Sequence, residues 1–198
     1  MALTTLPTAA LANDAVDNTK LDLADNYAFT GTVTSTAFSG GGSALTGVGK
    51  PYFIAGNNTP QNLTNGVTTG INFQTKDIDS DGCFNNTGSP TTLNGISVDA
   101  YSFAPNVAEY YVIGASVHFQ TVADGTSIEL LIRKNQGDVI RSMIHSANSS
   151  KDLNPHCSLL VQANGTTDDF QISVRLDGSG DNTYYTSAYV RFWGFRVA

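Results

Sequence analysis

From Tyr110 to Arg133 apolar residues recur at every second position, a pattern that only a half-buried β-strand uses well. Tyr111, Ile113, Ala115, Val117 and Phe119 fall on one face, and Ile128, Leu130 and Ile132 repeat the pattern after a turn. Ala123-Asp124-Gly125-Thr126 supplies the turn, because Asp-Gly tolerates the positive φ of a tight reversal. The spacing predicts a central hairpin. A strong strand pair in mid-chain, with more strands on either side, suits a sandwich better than a parallel α/β sheet.

The flanking sequence reads the same way. Pro51 to Gly56 opens the series, Val67 to Thr75 alternates loosely, and Ser97 to Phe103 makes a short strand. Lys134 to Asp138 turns the chain into Val139–Ile144. Cys157, Leu159, Val161 and Ala163 alternate, as do Phe170, Ile172, Val174 and Leu176. The last strand, Ser187 to Val197, has large residues on both faces: Tyr189, Trp193 and Phe195 against Val190 and Phe192. Two-sided apolarity predicts a strand covered on both sides. Short strands separated by Gly/Asn/Asp turns predict an all-β jelly-roll sandwich of about eight strands over residues 51–198.

Residues 1–50 differ. Leu6, Leu11, Val16, Leu21 and Leu23 match neither the 3.6-residue nor the 2-residue period, so this extended segment needs a partner surface or copies of itself. Ser39-Gly40-Gly41-Gly42-Ser43 reads as a flexible linker. Residues 6–34, with Ala9-Ala10-Leu11-Ala12-Asn13-Asp14-Ala15-Val16, Lys20-Leu21 and Tyr27-Ala28-Phe29-Thr30-Gly31-Thr32-Val33, resemble a segment of tailed-bacteriophage fibre proteins. A fibre shaft carries several such units, and this chain has one.

Residues 51–198 are similar to the trimeric jelly roll of the complement globular-head and tumour-necrosis-factor superfamily. The matching residues are a strand near Phe53, Phe73 before an Asp/Gly loop, Phe103-Ala104-Pro105 followed by Glu109-Tyr110-Tyr111-Val112, Ile128 to Lys134 with Asn135 and Gly137, and Tyr189 to Phe195. Ala108-Glu109 stands where that family usually has a Gly. The two resemblances together imply a homotrimeric projection on a virion surface, attached to other virion proteins through Leu6, Pro7, Leu11, Val16, Leu21 and Leu23. Its head is expected to bind a host-surface glycan or protein, with Tyr110, Tyr111, Tyr189, Trp193 and Phe195 packing in the trimer. The alternative is a decoration protein that cements the capsid lattice.

Composition narrows the partners. The 198 residues carry 10 Lys+Arg against 17 Asp+Glu, a net charge of −7, which is poorly suited to neutralising phosphates, so no nucleic acid is expected. No apolar run approaches the ~20 residues of a membrane-spanning helix, and Met1-Ala2-Leu3-Thr4 lacks the basic start of a signal peptide. Cys83 and Cys157 lack metal-site spacing; they either bridge distant strands or are free, and free thiols are the preferred reading.

Asp77-Ile78-Asp79-Ser80-Asp81-Gly82 begins like a calcium loop. Gly88 occupies the twelfth position, where such a loop needs a Glu, so the stretch reads first as a solvated turn without metal, and Asp77, Asp79 and Asp81 make at most a lesser calcium site in a β-loop. No Gly-x-Ser-x-Gly elbow, positioned carboxylate pair or phosphate-cradling Gly loop is present, and neither enzymatic activity nor a cofactor is expected. A surface-glycan depolymerase is the enzymatic alternative. Tyr184 and Tyr185, beside a turn with Asp181 and Asn182, are the candidate receptor contacts, because sugars stack on tyrosine and bond to amides and carboxylates; the alternative is that they pack at the trimer axis like Tyr110 and Tyr111.

Overall fold

Alternation becomes antiparallel pairing wherever both neighbours supply a matching apolar face. The computed structural model describes residues 51–178, 182–184 and 189–197, with the backbone alone for 182–184. Every element among them is a strand. One main sheet has five strands, in the order β12 (His156–Ala163), β7 (Glu109–Ser116), β15 (Arg191–Arg196), β1 (Tyr52–Gly56) and β4 (Thr75–Asp79). The other has four: β10 (Gly137–His145), β9 (Ser127–Lys134), β13 (Phe170–Asp177) and β3 (Thr68–Gly70). A smaller sheet joins β11 (Lys151–Leu153), β8 (Phe119–Val122), β14 (Asn182–Tyr184) and β2 (Gln61–Leu63), and β5 (Thr91–Leu93) pairs with β6 (Ile96–Val98). Apart from the consecutive pairs β9–β10 and β5–β6, neighbours in each sheet are distant in sequence, as the crossing connections of a jelly roll require.

The inward residues of both main sheets form one core. Tyr111, Ile113 and Ala115 of β7 meet Ile128, Leu130 and Ile132 of β9 and the Phe170, Ile172, Val174, Leu176 series of β13, all fully buried. Phe53 anchors an aromatic cluster, stacked on Phe84 at 4.8 Å and Phe103 at 4.3 Å and edge-on to Phe192 at 4.7 Å. Buried rings in such offset and edge contacts each add about 0.5–1.5 kcal/mol beyond area burial. Gly194 permits this packing, since a Cβ there would lie 2.7 Å from the Phe53 ring.

The expected central hairpin does not form. β7 pairs with β12 and β15, whereas β9 pairs with β10 and β13 in the opposite sheet. The alternation runs on through Phe119, but the ladder stops at Ser116. Val117 donates to Pro155 O at 3.1 Å, and β8 leaves to pair with β11 and β14, with Thr121 at φ 54°. The Asp124-Gly125 turn exists, with Gly125 at φ 78°, yet it joins β8 to β9. Period two identifies the buried side of a strand but not its neighbour.

Two boundaries also shift. The strand expected from Ser97 to Phe103 ends at Val98, because Tyr101 takes φ 55° and the buried Asn85 amide captures the Asp99 carbonyl at 2.8 Å. The loop expected from Asp77 begins later, since β4 continues to Asp79. The turn after Lys134 matches expectation, with Asn135 and Gln136 at φ 50° and 66° closing β9 onto β10.

Candidate functional site

The last strand is apolar on both faces, but only its inner face is covered. Val190 and Phe192 are buried in the core, while Trp193 and Phe195 emerge on the opposite side of β15. Register extends this outer side across the whole sheet. One row runs Leu160, Val112, Phe195, Tyr52, and the next runs Ser158, Gly114, Trp193, Ile54, Ile78. Tyr110 lies between Gln162 and the Val197 segment at one end. Directly opposed residues on one face stand about 4.5–5.5 Å apart at Cβ, so these side chains form a continuous surface.

Leu160 is 59% exposed, Tyr110 49% and Phe195 45%, with Tyr52, Ile54 and Val197 similar. Single exposed apolar residues are ordinary, but a contiguous patch marks an interaction site. Neither row contains a charge. Ion pairs flank the face: Arg191–Asp77 at 3.7 Å and Arg196–Glu109 at 3.8 Å. Gly114 gives Trp193 its seat: a Cβ there would come within 2.3 Å of the indole, so the ring lies against bare backbone.

Of the five residues expected in subunit packing, Tyr110, Trp193 and Phe195 share this face. Tyr189 is 62% exposed and sets its ring edge-on to His118 at 5.7 Å. Tyr111 is a correction. It points into the core at 0% exposure and donates its hydroxyl to Val107 O at 2.9 Å. Burial and that closed environment push the phenol up to about 12. Adjacent tyrosines on a strand face opposite sides, so both could not serve one surface. Tyr52, Ile54, Val112 and Leu160 were missed as members of the face. The signal was apolar residues at the off-phase positions of three strands, which becomes a patch only once the strand order is known.

The other expected sites divide. Asn182 and Tyr184 lie in β14, whose backbone pairs with Leu63 and Gln61, while Asp181 and Tyr185 lie outside the described residues. Leu6, Pro7, Leu11, Val16, Leu21 and Leu23 also lie outside them.

The Asp77–Asp81 carboxylates do not converge. Asp79 accepts the Cys83 and Phe84 amides at 2.8 and 3.3 Å and pairs with Lys76, Asp77 faces Arg191, and Asp81 accepts from Ser80. No group of three or more His, Cys, Asp or Glu among the described residues is placed to hold a metal ion. Asp79 instead satisfies the turn that follows β4, as short acidic side chains do in loops. Cys83 and Cys157 are free and buried, and desolvation pushes both thiols up to about 11, which leaves little reactive thiolate.

No family model matches the chain, and no curated protein matches it. Solved structures do match in fold. Murine APRIL at pH 5.0 superposes with a TM-score of 0.51 at 8% identity, covering 75% of this chain and 100% of that one. Murine APRIL at pH 8.5 gives 0.48 at 10% identity, covering 75% and 100%. Eiger TNF from S. frugiperda gives 0.45 at 12% identity, covering 75% and 92%. At such identities the likeness concerns the fold: the chain is an all-β jelly roll of the tumour-necrosis-factor type.

Proposed function

We propose that this chain is a non-enzymatic structural protein of a phage virion, a homotrimeric surface projection whose jelly-roll head meets a host-surface receptor. The open apolar face on β7, β15 and β1 carries the reading. At about 25 cal/mol per Å² of apolar surface removed from water, a face of this kind is costly to leave wet. Aliphatic Ile54, Val112 and Leu160 interleave with the rings and bring no hydrogen-bonding group, which suits a protein partner better than a sugar. Identical copies arranged about a three-fold axis would cover the face and close on themselves, so assembly stops at three. The fibre-like segment before the head supports attachment to a virion.

A decoration role on the capsid is the second reading, favoured by the single shaft-like unit. Antibodies against the head, applied to intact particles of the source phage, separate the two. Labelling of projections, with adsorption to host cells blocked by the antibody, is the expected outcome. Labelling spread over the head lattice, with particles made fragile by loss of the protein, supports decoration. Intact particles that bind no antibody contradict both.

A further inference from the structure

A second feature lies at one end of the sandwich. The start of β7, the turn after β9 and the end of β12 enclose an open cleft of about 500 Å³, within the range of small-ligand pockets. Its walls are Ala108, Lys134, Gln162, Ala163, Asn164 and Asp168.

The polar groups there are not equally free. Lys134 Nζ donates to Asp168 Oδ2 at 2.8 Å and to Gln162 O at 2.9 Å. An ammonium has three donors, so one remains. The Asn164 carbonyl accepts the amides of Thr166, Thr167 and Asp168, and its NH₂ donates to Thr167 Oγ1. Asp168 is similarly engaged, taking Asn135 Nδ2 and the Asn164 amide besides Lys134. The Gln162 side chain, on an exposed position of β12, is left with both its donor and its acceptor for a visitor. The walls therefore offer the Gln162 amide, one ammonium proton, the second Asn164 N–H and the Ala108 methyl, Ala163 being only 1% exposed. The single positive and single negative charge neutralise each other.

We propose that this cleft holds one neutral saccharide unit, its hydroxyls paired with the Gln162 amide and the remaining Lys134 proton and its apolar ring face on the exposed Ala108. An acidic sugar gains no net attraction from a neutralised pair. The inference rests on the receptor-binding reading above and gives that receptor a chemistry.

Saturation-transfer NMR on the full chain, with neutral hexoses, N-acetylhexosamines and the corresponding uronic and sialic acids, tests it. Transfer to at least one neutral sugar is expected. Gln162→Ala should weaken that sugar about fivefold, the worth of one hydrogen bond of ordinary strength. Ala108→Trp, which fills the cleft from an exposed position, should abolish transfer. No transfer to any neutral sugar, transfer to acidic sugars alone, or transfer unchanged in both variants overturns the proposal. Native mass measured on the same samples keeps the two readings apart. A trimer without transfer fails only the cleft, and a monomer with transfer fails only the assembly.

Discussion

The two main sheets bury the same kind of core and show water opposite kinds of surface. Outside the five-stranded sheet, Leu160, Val112, Phe195 and Tyr52 follow one another without a charge. Outside the four-stranded sheet, Met143, Glu129, Arg175 and Thr68 share one row, and Arg141, Leu131, Ser173 and Gly70 share the next. Arg133 pairs with Asp138 at 3.1 Å, and Arg141 reaches Glu129 at 3.6 Å and Asp138 at 3.4 Å. Leu131 on this face is only 2% exposed. One sheet is thus finished for solvent within a single chain, and the other leaves an uncharged apolar surface open. Identical strand geometry carries both, so the difference lies wholly in the outward residue of each alternating pair.

The comparison breaks most sharply by exchanging the characters of the two faces. Phe195→Arg places a cation in the middle of the uncharged rows and should convert the assembly to monomers while the head stays folded. Met143→Arg on the other sheet should leave native mass unchanged, and equal effects from both would end the distinction.

Next in size is Gly114→Ala. The new methyl and the Trp193 indole cannot share one place, so the ring must leave. Overpacking of this sort costs about 1–3 kcal/mol, readable as a lower denaturation midpoint, with assembly weakened as well.

The four-stranded sheet contains its own contrast, two neighbouring buried carboxylates at the start of β13. Burial pushes the Asp168 carboxyl up, but hydrogen bonds from Lys134, Asn135 and the Asn164 amide outweigh it and hold it below the ordinary value. Asp169, which accepts the Asp99 amide at 2.9 Å, is pushed above the ordinary value by its burial. The signs oppose. Asp168 adds stability that is present above the ordinary carboxylate pKa and is lost as pH falls through its lowered folded value. Asp169 opposes folding while charged, so stability rises as pH falls through its raised folded value toward the ordinary one. Denaturant melts against pH should therefore show a gain on mild acidification that Asp169→Asn removes. They should also show a loss at lower pH that Asp168→Asn flattens. Asp168→Asn should cost about 1–3 kcal/mol near neutrality, the scale of hydrogen bonds to a charged group.

Smallest is Arg141→Ala, which removes an arginine that is 58% exposed at its side chain from two long ion pairs. Exposed pairs contribute about 0–1 kcal/mol, so stability should barely change and native mass not at all.

Most of the core was legible in the sequence, because inward positions repeat at period two and little else explains Phe170, Ile172, Val174 and Leu176 in one segment. Sheet membership was not. Tyr110–Phe119 and Ser127–Arg133 look like ideal hairpin partners, yet β8 carries the chain across the sandwich between them, a choice made by tertiary pairing with β11 and β14. The outer face was half legible for the same reason. Trp193 and Phe195 stand out within one strand, whereas Leu160 and Tyr52 join them only through β7 and β15. The cleft was not legible, because Lys134, Gln162 and Asp168 meet across segments that local pattern does not connect.

The most direct test of the assembly claim is the native mass of the full chain, by light scattering at neutral pH over a range of concentrations. A mass of three chains that persists on dilution is the predicted result. A mass of one chain at every concentration would mean that the apolar face of the five-stranded sheet is not covered by copies of itself, and would contradict the account.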